Sequence, residues 1–317
     1  MIFSVWAPRA RAVTLLLEGA ALPMRAGGEG WWQVESPARP DARYQFALDD
    51  TEPLPDPRSA SQPDGVFGAS ALVDHAAFAW RDQAWQPPPL ATGVIYELHI
   101  GTFTPAGTFD AAVERLDHLV ALGITHVEVM PVNEFAGRRG WGYDGVLLNA
   151  PYHAYGGPAG LKRFVNACHA RGLAVLIDVV YNHFGPEGNV TERFGPYTTD
   201  RYQTPWGPGV NLDDAGSDAV RRFFCDNALM WLRDYHVDGL RLDAIHALHD
   251  RSALPFLEQL ALETDALSAQ LGRPLVLVAE SSLNDPRVIR SRDAGGWGLR
   301  AQWSDDFHHA LHVALTG

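Results

Sequence analysis

The sequence predicts an α/β protein in which an incomplete TIM (β/α) barrel of about six βα units follows an N-terminal β-sandwich. Up to about residue 80, short strand-like runs alternate with Gly, Pro and Asp, as in sandwiches. From Gly93 onward, short apolar runs rich in Val, Ile and Leu alternate with amphipathic helical patterns. That alternation is typical of a parallel sheet covered on both faces.

The N-terminal domain is predicted over residues 1–84. Its predicted strands are "FSVWAP", "AVTLLLEG", "GWWQVES" and "ARYQFALDD", followed by a Pro-rich loop over 51–65. The segment "WQPPPLATG" contains three consecutive prolines, so residues 85–92 are predicted to form a stiff linker and a domain boundary.

The catalytic domain is predicted over residues 93–317. Its predicted strands are "VIYELHI", "ITHVEVMP", "AVLIDVVYNH", "VDGLRLD", "PLVLVAE" and "LRAQWSD". Its predicted helices are "TFDAAVERLDHLVALG", "PAGLKRFVNACHARG", "SDAVRRFFCDNALMWLRDYH", "SALPFLEQLALETDALSAQLG" and "FHHALHVALTG", and a short loop domain is predicted over 183–216. Because several strands end in polar groups and no G-x-G-x-x-G follows the first strand, a barrel is favoured over a doubly wound sheet.

The charge balance and the lack of long apolar runs argue against two classes of partner. Lys and Arg number 25 against 38 Asp and Glu, a net charge of −13, whereas nucleic acid binding needs a basic surface. No run approaches the roughly 18 apolar residues of a membrane span, and no signal peptide is recognised. Cys168 and Cys225 lie in apolar helical patterns, which indicates buried thiols in a reducing compartment. We therefore expect a cytoplasmic protein with neither nucleic acid nor membrane partners.

Two carboxylates at the ends of successive predicted strands are the candidate catalytic groups, Asp243 and Glu280. The carboxyl ends of barrel strands meet at one face, and a carboxylate pair about 5 Å apart suits a retaining glycosidase. Arg241 lies two residues before Asp243, on the same side of the strand, where its charge would stabilise a nucleophilic carboxylate. Taken singly, these residues would also fit a buried ion pair, a helix cap or a loop acid. Their joint pattern favours catalysis.

Three short motifs in this order, "DVVYNH", "GLRLDAIH" and "VLVAE", resemble those of glycoside hydrolase family 13, the α-amylase superfamily. The resemblance implies that Asp243 is the nucleophile, that Glu280 is the general acid/base and that Arg241 orients the nucleophile. It also implies further site residues: His183 and Tyr143 as contacts to the sugar before the cleaved bond, and Asp178 and Asn182 as supports of the site.

The resemblance extends over nearly the whole chain. "TPAGTF", "NHFGPEGN" and "QWSDDFHHALH" are similar to the trehalohydrolases of this superfamily, which release trehalose by cutting the α-1,4 bond next to the trehalose unit of malto-oligosyltrehalose. "FSVWAPRA" is similar to the immunoglobulin-like, carbohydrate-binding-module-like sandwich that these enzymes share with branching enzymes. The implied function is that of a retaining hydrolase acting on malto-oligosyltrehalose or a related α-glucan. Two alternatives stay open: a 1,4-α-glucan branching enzyme and a non-catalytic glucan-binding protein.

More distant sugar contacts are also candidates, and these are Trp206, His246, Asp305, Asp306 and His308. His246 begins a predicted helix, where an exposed surface histidine is the simpler interpretation. His308 and His312 have the spacing of a helical zinc pair, but no Glu follows the first His and no third ligand is evident. No metal and no cofactor are predicted.

One expected motif is not found. The resemblance implies an His-Asp pair at the end of a seventh strand, whose Asp contacts the distorted sugar. After Glu280, however, "SDDFHH" belongs to the sixth predicted strand and the helix after it. A closed barrel has eight βα units. The sequence thus predicts a C-terminally truncated chain with exposed edge strands, in which the missing carboxylate lowers activity by orders of magnitude.

Overall fold

The computed structural model describes residues 1–49 and 51–317; the predicted end of the strand "ARYQFALDD" at Asp50 lies outside the described residues. The N-terminal strands are β1 (Ile2–Trp6), β2 (Val13–Leu17), β3 (Ala20–Pro23), β4 (Arg25–Gly28), β5 (Trp31–Glu35), β6 (Arg43–Leu48) and β7 (Ser70–Ala71). They pair in two sheets of order β1-β5-β4 and β3-β2-β6-β7. The four predicted strands are present.

The N-terminal core follows from the alternation of side chains along its central strands. In β2, Val13, Leu15 and Leu17 are buried while the residues between them are half-buried, and β6 alternates in the same way. Strands β3 and β4 are mostly exposed and lack that alternation. These two strands were not predicted from the sequence, because exposed Ala, Arg and Gly residues carry no strand signal.

The second part of the chain forms a parallel sheet in the order β17-β16-β15-β12-β9-β8. Its strands are β8 (Ile95–Leu98), β9 (His126–Val129), β12 (Ala174–Val179), β15 (Gly239–Leu242), β16 (Val276–Ser281) and β17 (Ala301–Ser304). Each strand is added beside its predecessor in chain order, always on the same side. A doubly wound sheet would reverse direction at a switch point, so the predicted incomplete barrel is confirmed.

Two hairpins and several helices complete this part. The hairpins are β10 (Asn133–Glu134) with β11 (Leu147–Pro151), and β13 (Thr198–Thr204) with β14 (Gly207–Val210). The helices are α1 (Ile100–Phe103), α2 (Phe109–Val113), α3 (Leu116–Ala121), α4 (Gly157–His169), α5 (Thr191–Phe194), α6 (Ser217–Asp234), α7 (Phe256–Leu271) and α8 (Asp305–Thr316). Among the described residues, no helix has the length and apolar character of a membrane span.

Three helix predictions need correction. The single helix predicted from "TFDAAVERLDHLVALG" is two short helices, because Arg115 adopts φ −104° and ψ −5° between α2 and α3. The helix predicted from "SALPFLEQLALETDALSAQLG" begins only at Phe256, directly after Pro255. The predicted helix start at His246 is a short 3-10 turn over Ile245–Ala247, and α7 begins later.

The segment that contains the predicted linker packs against the barrel sheet. The Trp85 indole N–H donates to Asp238 Oδ1 over 2.8 Å, and its ring stacks on His169 with 4.5 Å between centroids. The Val175 N–H donates to Asp238 Oδ2 near the start of β12, so these contacts lie at the amino end of the sheet. The predicted domain limits of 1–84, 85–92 and 93–317 stay a prediction.

Candidate active site

The candidate site lies at the carboxyl ends of β12, β15 and β16. Asp178 of β12 and Arg241 of β15 are register partners in the parallel ladder. Glu280 belongs to β16, and Asp243 directly follows β15. Side chains two residues apart on a strand share a face, which is why Arg241 and Asp243 meet while Leu240 and Leu242 are buried in the core.

Arg241 holds two carboxylates together. Its Nη1 donates to Asp178 Oδ2 over 2.7 Å and to Asp243 Oδ1 over 3.1 Å. Burial of the guanidinium favours its neutral form, but the attraction of Asp178 outweighs this and raises the pKa of Arg241. The side chain is therefore a permanent cation beside Asp243.

The second oxygen of Asp243 is held by Asn182. The Asn182 amide donates to both the Oδ2 and the backbone carbonyl of Asp243, each over 2.9 Å. Together with Arg241, this amide gives each carboxylate oxygen of Asp243 a donor. The carboxylate orientation is thus determined before any ligand binds.

Glu280 accepts a hydrogen bond from the residue that follows Asp243. The Ala244 N–H donates to Glu280 Oε2 over 2.7 Å. Ala244 has φ 42° and ψ 51°, in the left-handed region, which is uncommon for a residue with a Cβ and is often found at functional sites. This backbone conformation directs the amide of Ala244 at the acid of the neighbouring strand.

His183, Tyr143 and Trp206 lie next to these carboxylates. The Tyr143 hydroxyl donates to Asp178 Oδ2 over 2.9 Å, and His183 Nε2 lies 3.0 Å from the Tyr143 carbonyl oxygen. Burial lowers the pKa of His183, which favours the neutral ring. The Trp206 indole stacks on that ring, with centroids 4.8 Å apart and planes 8° apart, and it is 47% exposed.

Four predicted sugar contacts have no described link to this cluster. His246 is exposed on the turn after Asp243, and Asp305, Asp306 and His308 are exposed at the start of α8. Across residues 1–49 and 51–317, none of the four makes a side-chain hydrogen bond or ion pair to Asp243 or Glu280. Their role as more distant contacts stays a prediction.

The sequence interpretation missed two features of the site. Glu128 lies in the middle of β9, with its side chain buried beside Arg241, and its signal was a lone acid inside the apolar run "HVEVMP". Ala244 gave no signal, because its left-handed backbone follows from the path of the chain and not from its residue type. Among the described residues, no three His, Cys, Asp or Glu side chains are placed to hold a metal ion.

The arrangement has the components of a glycoside hydrolase site. It combines a carboxylate oriented by Arg and Asn, a second carboxylate on the neighbouring strand, and an exposed aromatic ring. Paired carboxylates of this kind cleave glycosidic bonds. The position at the carboxyl ends of parallel barrel strands is the usual position of active sites in (β/α) barrels.

Comparison with known proteins agrees with this class. Residues 57–204 match the model of the alpha amylase catalytic domain, and residues 1–61 match carbohydrate-binding module 48, the isoamylase N-terminal domain. A crystal structure from Salmonella typhimurium described as an alpha amylase superimposes with a TM-score of 0.91 at 42% identity, covering 98% of this chain and 53% of the other. The chain belongs to the α-amylase superfamily, glycoside hydrolase family 13.

Within that superfamily, several relatives are malto-oligosyltrehalose trehalohydrolases. The enzyme from Arthrobacter ramosus is 55% identical over 99% of this chain and 56% of its own length, and the one from Saccharolobus solfataricus is 45% identical over 99% and 55%. A 1,4-alpha-glucan branching enzyme from Pseudoalteromonas atlantica is 31% identical over 98% of this chain and 49% of its own length. The chain spans about half the length of the curated relatives it matches.

Proposed function

We propose that this site hydrolyses the α-1,4 bond next to the trehalose unit of malto-oligosyltrehalose and releases trehalose with retention of configuration. The observation that carries the proposal is the pair Asp243 and Glu280 on adjacent strand ends, with Asp243 held by Arg241 and Asn182. The trehalohydrolase relatives, 45–55% identical over 99% of the chain, support the choice of substrate.

In the first step, the Asp243 carboxylate attacks the anomeric carbon and Glu280 gives its proton to the glycosidic oxygen. The bond between that carbon and oxygen breaks, and trehalose leaves with the transferred proton. In the second step, Glu280 takes a proton from water, the resulting hydroxide attacks the anomeric carbon, and the Asp243 carboxylate is released. The Ala244 N–H occupies Oε2 of Glu280, which leaves Oε1 to carry the proton to and from the reacting oxygen.

The neighbouring side chains suit a glucose ring. An exposed indole offers an apolar face for sugar C–H groups, and Trp206 is held flat on His183. Tyr143 is fastened to Asp178 by its hydroxyl, so it can pack against a sugar without losing its orientation. We assign His246, Asp305, Asp306 and His308 to more distant sugar contacts on the exposed surface beyond the carboxylates.

Location and metabolic role are part of the proposal. Cys168 and Cys225 are buried and free, which supports a reducing compartment and hence the cytoplasm. Release of trehalose from an α-glucan derivative would serve trehalose biosynthesis. Fractionation of a cell lysate would show where the native protein is located, and thiol titration of that protein would show whether both cysteines are reduced.

The test is incubation of the purified chain with maltotriosyltrehalose and, separately, with amylose. The expected result is trehalose release that Asp243→Asn abolishes, while Asp117→Asn, which changes an exposed acid paired with Arg171, leaves it intact. New α-1,6 branches in amylose would instead assign branching activity. Binding of either glucan without any product would assign a non-catalytic glucan-binding protein.

A further inference from the structure

Behind the guanidinium of Arg241 lies a buried acid that the mechanism above does not use, Glu128 on β9. Only 2% of its side chain is exposed, and its Oε1 is 3.8 Å from Arg241 Nε. The other oxygen, Oε2, has no hydrogen-bond partner among the described residues, and the same is true of Asp178 Oδ1. Two buried acids that share one guanidinium therefore each keep an oxygen without a donor.

The charges of this cluster do not balance if every acid is ionised. Arg241 contributes one positive charge against Glu128, Asp178 and Asp243, so the sum is 1 − 3 = −2. Uncompensated buried charge is costly, and a carboxyl group in such a place binds a proton instead. The other titratable or polar side chains that face Glu128 or Asp178 are Glu97 on β8, Tyr143, and Trp303 on β17. None of these adds a positive charge.

We propose that Glu128 and Asp178 share one proton at neutral pH and that this singly protonated pair positions the Arg241 guanidinium against Asp243. With one proton on the pair, the cluster charge falls from −2 to −1. Glu128 is thereby a positioning residue that acts through Arg241. The effect on Asp243 as nucleophile rests on the proposed function, whereas the proton sharing itself does not.

The pKa shifts of the two acids agree with proton sharing and determine how it affects stability. Burial raises the pKa of Glu128, and the neighbouring Asp178 raises it further; burial likewise raises the pKa of Asp178, with Asp243 adding to the effect and Arg241 opposing it. Interacting acids titrate as a pair. Because their folded pKa values exceed the unfolded ones, the folded chain holds the extra proton, and stability falls as pH rises from the unfolded pKa through the folded pKa.

The direct test is infrared titration of the 317-residue chain, which detects the C=O stretch of protonated carboxyl groups without any turnover. At pH 7 we expect a buried protonated carboxyl whose signal disappears as the solution becomes alkaline. Glu128→Gln should remove the signal of one carboxyl, and Asp178→Asn should do the same because the cluster then needs no proton. Glu114→Gln, at an exposed position, is the control and should change nothing.

The assignment can fail in two ways. Burial also raises the pKa of Glu134 to about 7, so a signal that survives Glu128→Gln but is lost in Glu134→Gln would overturn the proposal. The wild-type titration decides even where a variant does not fold, because the absence of any protonated carboxyl at pH 7 would refute proton sharing outright.

A kinetic readout separates positioning from a purely structural role. Glu128→Gln resembles the protonated acid, so we expect trehalose release to persist with a flatter alkaline limb of the pH profile. Glu128→Ala frees the guanidinium and should lower kcat on the order of 10- to 100-fold with little change in KM. Equal loss in both variants would contradict positioning. If the wild type releases no trehalose, the proposed function fails while the carboxyl titration still decides the proton sharing.

Discussion

Replacing His169 by Ala should strongly destabilise the chain, because this side chain bridges two acids in a buried cluster at the amino end of the sheet, where Arg273 also pairs with Asp238 and His236 with Asp82. Its Nδ1 lies 2.8 Å from Asp82 and its Nε2 lies 3.0 Å from Asp238, and all three side chains are at most 5% exposed. Removing one partner from a buried ion pair costs about 3–5 kcal/mol. That is a shift of the folding equilibrium of roughly 100- to 5,000-fold.

The pH dependence of this contribution has a definite sign. Burial favours the neutral ring of His169, but hydrogen bonds with Asp238 and Asp82 outweigh it and raise the pKa above the usual 6.5. The contribution is therefore complete below pH 6.5 and is lost as pH rises through the higher folded pKa. For Asp82, hydrogen bonds from His169 and His236 outweigh burial and lower the pKa below the usual 3.8, so its contribution is lost in acid.

The assay is urea denaturation followed by circular dichroism, from pH 4 to pH 9, on the wild type and on His169→Ala. The matched control is His118→Ala, at an exposed position of α3, which should change the free energy of unfolding by less than about 0.5 kcal/mol. A cost below about 1 kcal/mol for His169→Ala at pH 5.5 would refute the reasoning. So would equal slopes of stability against pH for the wild type and this variant above pH 6.5.

Two further predictions concern the site. Gly142→Ala should lower the free energy of unfolding by about 2–5 kcal/mol, measured by thermal denaturation, because Gly142 has φ 97° and the new Cβ would overlap the Pro131 carbonyl oxygen. The control Gly137→Ala, at φ 85° with open space around it, should lower it by only about 1–2 kcal/mol. Trp206→Ala should weaken maltodextrin binding in calorimetry roughly 2- to 12-fold at an unchanged melting temperature, and a melting temperature that falls sharply would show that its stack on His183 is structural.

Sequence patterns predicted the elements that repeat a simple rule. The alternation in "GLRLD" placed Leu240 and Leu242 in the core and Arg241 with Asp243 on the other face, as the structure has it. Strand order followed from the βα repeat, because crossovers of one hand place each next parallel strand beside the last. The exposed strand β3 was not predictable, since its residues have no buried face to mark.

Contacts between distant segments were beyond sequence reasoning. Trp206 was a candidate sugar contact through the resemblance to trehalohydrolases, yet its stack on His183 depends on the path of the β13–β14 hairpin. The interaction of Trp85 with Asp238 joins residues far apart in sequence, and no local pattern encodes it. In the sequence, Glu128 is a single charge in an apolar strand, and only the register of β9 against β12 places it near Asp178.

The left-handed backbone at Ala244 has a practical consequence for observing turnover. Its single N–H donates to Glu280, so the amide resonance of Ala244 senses where that carboxyl points. When Glu280 gives its proton to a glycosidic oxygen in the proposed mechanism, the charge on the acceptor of this N–H changes, so the chemical shift and the hydrogen exchange rate of the amide should change together. One backbone position, isotopically labelled at alanine, can thus serve as a built-in spectroscopic reporter of Glu280, without any alteration of the proposed catalytic groups.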